Sequence, residues 1–239
     1  MVEITATAPH KTVALVAGGS GLVGAELLQL LSAQPDIARV LAVTRRPLAY
    51  DHPKLANRIV RFESLEQSLE GMHADVAFCC LGTTLREAGS AEEFRVVDHD
   101  HVLAFARAAH KAGVRRFVLN SSVGADPQSK NLYLRTKGET EAHVAQLNFP
   151  ALDIVQPSLL LGWRKRIRPL EFAGMMFLPI LNPLLLGAAQ RYRAVSAATV
   201  AAAMVGLARS QRKGVTRYTH RAIVELSLNA GRRTSPAQF

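Results

Sequence analysis

The amino-acid sequence predicts an α/β fold: a doubly wound, mostly parallel sheet with helices on both faces and a small C-terminal substrate-side region. Two observations predict it. Short apolar runs alternate with segments of helical spacing through most of the 239 residues. The first run, Val13–Ala17, leads into Gly18-Gly19-Ser20-Gly21-Leu22-Val23-Gly24, which opens a segment whose Val23, Leu27, Leu30 and Leu31 share one helix face. Strand, glycine turn and helix in that order form the context in which a phosphate can sit on backbone N–H groups at a helix's positive end. A plain glycine turn has the same pattern, so later residues must decide. No Lys-Ser/Thr pair follows Gly24, where Ala25-Glu26 stand, so a kinase-type phosphate loop is disfavoured.

The elements follow in order. Pro35 ends the first helix, and Arg39–Thr44 reads as the second strand. Pro47 and Pro53 bracket a polar loop, Arg58–Phe62 reads as a short third strand, and Leu65–Gly71 as a short helix. Asp75–Cys80 is a fourth strand, apolar on both faces as parallel strands are. Ser90-x-x-Glu93 is a capping box that starts a helix carrying Phe94, Val97, Val102, Phe105, Ala106 and Ala109 before Gly113. Arg116–Asn120 is the fifth strand and runs into Ser121-Ser122; Asn131–Leu147 is a helix, and Leu152–Val155 the sixth strand. Beyond Trp163 the alternation breaks. The apolar stretch Phe172–Leu186 contains Pro179 and Pro183, which argue against one spanning helix. A lid over a substrate pocket, core packing and peripheral membrane contact through basic flanks all stay open for it. Ser196–Arg209 returns to helix, Val215–Thr219 is a last strand and Ile223–Leu228 a short helix.

The length suits a single domain over residues 1–239, with a cofactor part over 11–156 and a substrate or lid part over 157–230. Hydrophobic residues make up 49% and charged ones 20%, enough apolar material for a substantial core. The two cysteines, Cys79 and Cys80, are neighbours in a strand and point to opposite faces. That favours burial over a disulfide or a metal site and suits a reducing, cytoplasmic setting; no metal is expected. Residues 1–11 lack the basic segment and apolar core of a secretory signal. The net charge of +10 is scattered over Arg45-Arg46, Arg115-Arg116, Arg164–Arg168 and Arg232-Arg233. Scattering, with no nucleic-acid module, disfavours nucleic acid as the partner.

Three constellations carry chemistry. An NAD site would place Asp or Glu at the end of the second strand to bind ribose hydroxyls; here Thr44-Arg45-Arg46 stands there. Guanidinium forks bind a 2′-phosphate bidentately, so NADP(H) is preferred over NAD(H), with solvated loop arginines as the alternative. Tyr133-x-x-x-Lys137 puts a phenol and an ammonium on one helix face, where the cation favours phenolate and makes an acid–base group; Tyr133 could equally serve in packing. Ser121-Ser122 stand at the C-terminal end of the fifth strand, where open α/β sheets bind ligands, and either hydroxyl could orient a carbonyl.

On these residues the chain resembles the short-chain dehydrogenase/reductase superfamily, a Rossmann-type fold, over nearly its whole length. Within it the chain is most similar to the atypical branch that includes the Tat-interacting, oxidoreductase-like proteins. The segments that carry this are Phe78–Thr84, Val97-Asp98, Ser121–Asp126, Tyr133–Glu139 and Gln156–Gly162, with Arg164, Arg168 and Glu171. The resemblance implies that Gly18–Gly24 is the cofactor loop, that Leu81, Gly82 and Thr83 border the cofactor, and that Ser122 (or Ser121), Tyr133 and Lys137 are catalytic. It implies an NADP(H)-dependent reductase or dehydrogenase acting on a small, apolar molecule. A catalytically weak NADP(H)-binding regulator working through a protein partner is the alternative the branch also offers. One departure is Gln156, where relatives usually carry arginine; another is Arg166, where an acidic residue is frequent.

Overall fold

A computed structural model describes residues 11–158, 160–161 and 187–232. The chain begins with β1 (Thr12–Ala17), α1 (Leu22–Ala33), β2 (Ile37–Thr44) and β3 (Leu55–Ile59). A 3-10 turn at Phe62–Ser64 leads to α2 (Leu65–Ser68), β4 (Val76–Cys79), α3 (Leu85–Ala88) and α4 (Ala91–Arg95). Then come α5 (His101–Lys111), β5 (Arg116–Asn120), α6 (Leu132–Ala145) and β6 (Ala151–Val155). The short strands β7 (Leu160–Leu161) and β8 (Val195–Ser196) pair with each other, and α7 (Ala197–Ala208), β9 (Gly214–Tyr218) and α8 (His220–Arg232) complete the chain.

The main sheet has seven strands in the order β3-β2-β1-β4-β5-β6-β9, every pair parallel. Its two faces follow from the two-residue period of the strands. Val16, Val40, Phe78 and Val118 pack under Leu27, Leu31, Val200 and Met204 of α1 and α7. Leu15, Ala77, Phe117 and Ile154 pack under Leu65, Phe105, Ala109 and Val144 on the other side. The sheet is therefore doubly wound. Polar caps start the helices where the sequence places them: Ser90 Oγ accepts from Glu93 N at 3.0 Å, Asn131 Oδ1 from Leu134 N at 3.1 Å and Ser196 Oγ from Thr199 N at 3.0 Å.

Three details differ from the sequence expectation. Strand β3 lies three residues earlier than Arg58–Phe62, because its pairing with β2 runs from Val40↔Leu55 to Thr44↔Ile59. Val60 and Phe62, whose apolarity suggested the strand, are buried in the turn that follows. The helix after Ser90 is not uniform: α4 and α5 are joined by one π turn, Val96–Asp100. The wider turn directs the neighbours Asp98 and His99 both inward, so both are buried. Finally, α8 is longer than Ile223–Leu228 because it lies on α7 along its length, meeting it closely at Gly206. A Cβ there would stand 3.3 Å from Leu226 O. Phe172–Leu186 lies outside the described residues.

The far ends of α7 and α1 are clamped by Arg209, whose Nε and Nη2 donate to the two oxygens of Asp36 at 2.7 and 2.6 Å. Those bonds hold the Asp36 carboxyl below its ordinary range. The unfolded chain therefore takes up this proton first, and the stabilisation present above about pH 4 is lost as pH falls through the depressed value. Replacing Arg209→Met should flatten this acid-side loss in thermal melts recorded between neutral and acid pH. The pair is partly exposed, so the change is worth less than about 1 kcal/mol.

Candidate cofactor cleft and active site

The glycine turn lies between the C-terminal ends of β1 and β4. Gly18 has φ +82°, and a Cβ on it would come within 2.4 Å of the Cys80 carbonyl. A Cβ on Gly24 would stand 2.1 Å from Gly18 O, and one on Gly19 2.7 Å from Leu28 Cδ1. The turn is thus packed backbone to backbone, closed by Gly21 N donating to Gly18 O at 3.0 Å. Gly21 precedes α1 without a side-chain cap, so the N–H groups of the first helical turn face outward. These are the features a pyrophosphate needs: close approach and free donors at a positive helix end. The residues fit a dinucleotide.

A cleft of about 410 Å³ opens over this turn, bounded by Ser20, Gly21, Arg45, Arg46, Leu81 and Gly82. Arg45 and Arg46 are exposed at its mouth, immediately after β2. Thr44 Oγ1 fixes their turn by donating to Arg46 O or Asn57 Oδ1, both at 2.7 Å. Among the described residues no carboxylate lies within ion-pair distance of either arginine.

Beneath Gly82, Lys137 Nζ lies 2.8 Å from Asp98 Oδ1, with side-chain exposures of 8% and 0%. Asp98 Oδ2 accepts from Thr83 N at 2.7 Å. Burial opposes the charge on Lys137, but the Asp98 carboxylate, helped by Tyr133, outweighs it and holds the ammonium above its ordinary pKa. A Cβ at Gly82 would be 3.3 Å from Asp98 Oδ1 and 3.4 Å from Lys137 Nζ, so glycine lets the loop settle on the ion pair. One turn earlier on α6, Tyr133 is half-buried with its ring 5.7 Å from Phe94.

The two serines separate. Ser121 Oγ donates to the buried Glu141 Oε1 at 2.6 Å, and Gln156 Nε2 donates to the same oxygen at 2.8 Å. Among the described residues, Ser122 Oγ has only a 3.5 Å contact with the neighbouring Val123 O. Ser121 is a strut between β5 and α6; Ser122 is the hydroxyl left for another partner.

A family model described as NAD(P)H-binding matches residues 18–163, more than half of the chain. The chain is 40% identical over 166 residues to Protein HTATIP2 of Rattus norvegicus, covering 68% of each chain. It is 36% identical over 173 residues to Protein fmp52, mitochondrial, of Emericella nidulans, covering 69% of this chain and 73% of the relative. The chain belongs to this NAD(P)H-binding family, among the atypical short-chain dehydrogenase/reductases. Its fold is also that of the Bordetella bronchiseptica enzyme WbmH, solved with NAD+: the TM-score is 0.66 at 16% identity, over 96% of this chain and 84% of that one.

The sequence left three residues of this candidate site without a role. Asp98 stands on the stripe Phe94, Asp98, Val102, and a carboxylate in an apolar stripe is itself a signal of a buried partner. Glu141 continues Tyr133 and Lys137 at the same four-residue spacing. Arg217 came from a strand with no motif; its Nε donates to Glu141 Oε2 at 2.9 Å. Among the described residues no helix is long and apolar enough to cross a membrane.

Replacing Gly24→Ala forces a Cβ onto the Gly18 carbonyl. The turn must shift at a cost of about 1–3 kcal/mol. Titration with NADPH, followed by its fluorescence, should show affinity lowered about tenfold or more, with a lower melting temperature.

Proposed function

We propose that this protein is an NADP(H)-dependent carbonyl reductase acting on a small, mostly apolar molecule. The observation that carries the reading is that Lys137 Nζ lies behind Gly82, a residue that lines the glycine-turn cleft, 3.4 Å from where a Cβ would stand, which supports reading the pair on α6 and the cofactor turn as one site. Gly18–Gly24 would hold the pyrophosphate, with Leu81, Gly82 and Thr83 alongside the cofactor. Arg45 and Arg46 stand where an NAD-selective carboxylate would stand, free to take a 2′-phosphate.

Once bound, the reduced nicotinamide supplies a hydride to the carbonyl carbon. Tyr133 gives its proton to the carbonyl oxygen as the alcohol forms. Ser122 donates a hydrogen bond to the same oxygen and holds it against the phenol. Lys137, kept charged by Asp98, favours the phenolate left behind and holds ribose hydroxyls. Cys79 and Cys80 take no part: burial pushes the Cys79 thiol up to about 12 and raises that of Cys80 as well. Unpaired thiols of this kind suit a reducing compartment such as the cytoplasm; the fungal relatives are mitochondrial by name. The apolar substrate class rests on the composition of Phe172–Leu186.

Two measurements test this reading. Replacing both Arg45→Ala and Arg46→Ala should weaken NADPH about 10- to 100-fold while leaving NADH nearly unchanged, because charge-assisted bonds to the extra phosphate are lost. In single-turnover oxidation of NADPH across a carbonyl panel, Tyr133→Phe should lower the rate by about 10²- to 10⁴-fold. A variant that turns over like the parent removes Tyr133 as the acid.

A further inference from the structure

We infer that Asp98 is a positioning residue that fixes the nicotinamide half of the cleft, leaving the adenosine half to stand without it. The inference rests on the proposed cofactor reading. Asp98 is fully buried, and each of its oxygens has its own partner: Oδ2 accepts from Thr83 N at 2.7 Å, and Oδ1 pairs by charge with the Lys137 ammonium at 2.8 Å, outside hydrogen-bond geometry. One carboxylate therefore sets the spacing between the loop after β4 and helix α6, segments otherwise far apart in sequence. Its own place is fixed by the π turn and by Thr140 Oγ1, which donates to Asp98 O at 3.0 Å.

The chemistry calls for aspartate in particular. Asparagine has the same shape but would turn its NH2 group toward either Thr83 N or Lys137 Nζ, donor against donor. Glutamate keeps the charge but carries it one methylene further, which moves the loop and the lysine out of register. The glycine turn and the two arginines are placed by β1, α1 and β2 instead, with no hydrogen bond to Asp98 among the described residues. The cleft is thus two separately supported halves, and Asp98 supports only one.

Cofactor fragments act as rulers for this. Adenosine 2′,5′-bisphosphate spans the glycine turn and the arginines but has no nicotinamide ribose; NADP+ spans both halves. Affinities of the parent, Asp98→Asn and Asp98→Glu for each are measured by calorimetry. The expected result is a loss of about tenfold or more for NADP+ in Asp98→Asn, a smaller loss in Asp98→Glu, and little change for the bisphosphate in either. Asp98→Glu keeps Lys137 neutralised, so it reports positioning even if Asp98→Asn fails to fold. Equal losses for both ligands, or NADP+ bound by Asp98→Glu as tightly as by the parent, overturn the inference alone. A parent that binds NAD+ but no phosphorylated form moves the same comparison to NAD+ and 5′-ADP. A parent that binds no nicotinamide nucleotide overturns the cofactor reading and this inference together.

Discussion

A lysine with 8% of its side chain exposed keeps its charge only where a carboxylate stands beside it, and Asp98 supplies that carboxylate from a helix that had to widen by one residue to deliver it. The consequences spread outward from this contact. Lys137 cannot leave the floor of the cleft without leaving Asp98 uncompensated, and breaking such a pair from one side costs about 3–5 kcal/mol. Tyr133, one turn away, is held by the same helix, and a Cβ on Gly82 would crowd the pair, at 3.3 Å from Asp98 Oδ1 and 3.4 Å from Lys137 Nζ.

A second buried acid braces the other end of the same helix. Glu141 gathers Ser121, Gln156 and Arg217 from β5, β6 and β9, so α6 is tied to three strand ends. Ser121 is spent on this brace, and Ser122 is free of it. The arginines divide by role. Arg95, Arg116, Arg209 and Arg217 each have a carboxylate partner and work as struts. Arg45 and Arg46 have none among the described residues, and they are the ones at the cleft.

Much of this was legible in the residues. The strand and helix order, the capping box at Ser90, the helix starts at Asn131 and Ser196, and the glycine turn all rest on local chemistry that a single segment carries. What escaped depends on contacts between segments. The register of β3 is set by β2, and apolar Val60 and Phe62 look alike in a strand or a buried turn. The π turn has no local signature in Val96–Asp100 and is visible only through the two inward neighbours it produces. Ser121 and Ser122 are chemically identical in sequence, and only Glu141, twenty residues on, tells them apart. Gln156 and Arg217, sixty-one residues apart in sequence, meet only through Glu141.

The central claim is that the glycine turn, the two arginines and the Tyr133–Lys137 pair serve one bound NADP(H). A crystal structure of the protein soaked with NADP+ tests it most directly. The expected density places the pyrophosphate on the N–H groups of Gly18–Gly24, the 2′-phosphate against Arg45 and Arg46, and the nicotinamide ribose at Lys137 with Asp98 still paired to it. A cofactor whose 2′-phosphate points to solvent away from both arginines, or whose nicotinamide lies remote from Tyr133, would contradict it.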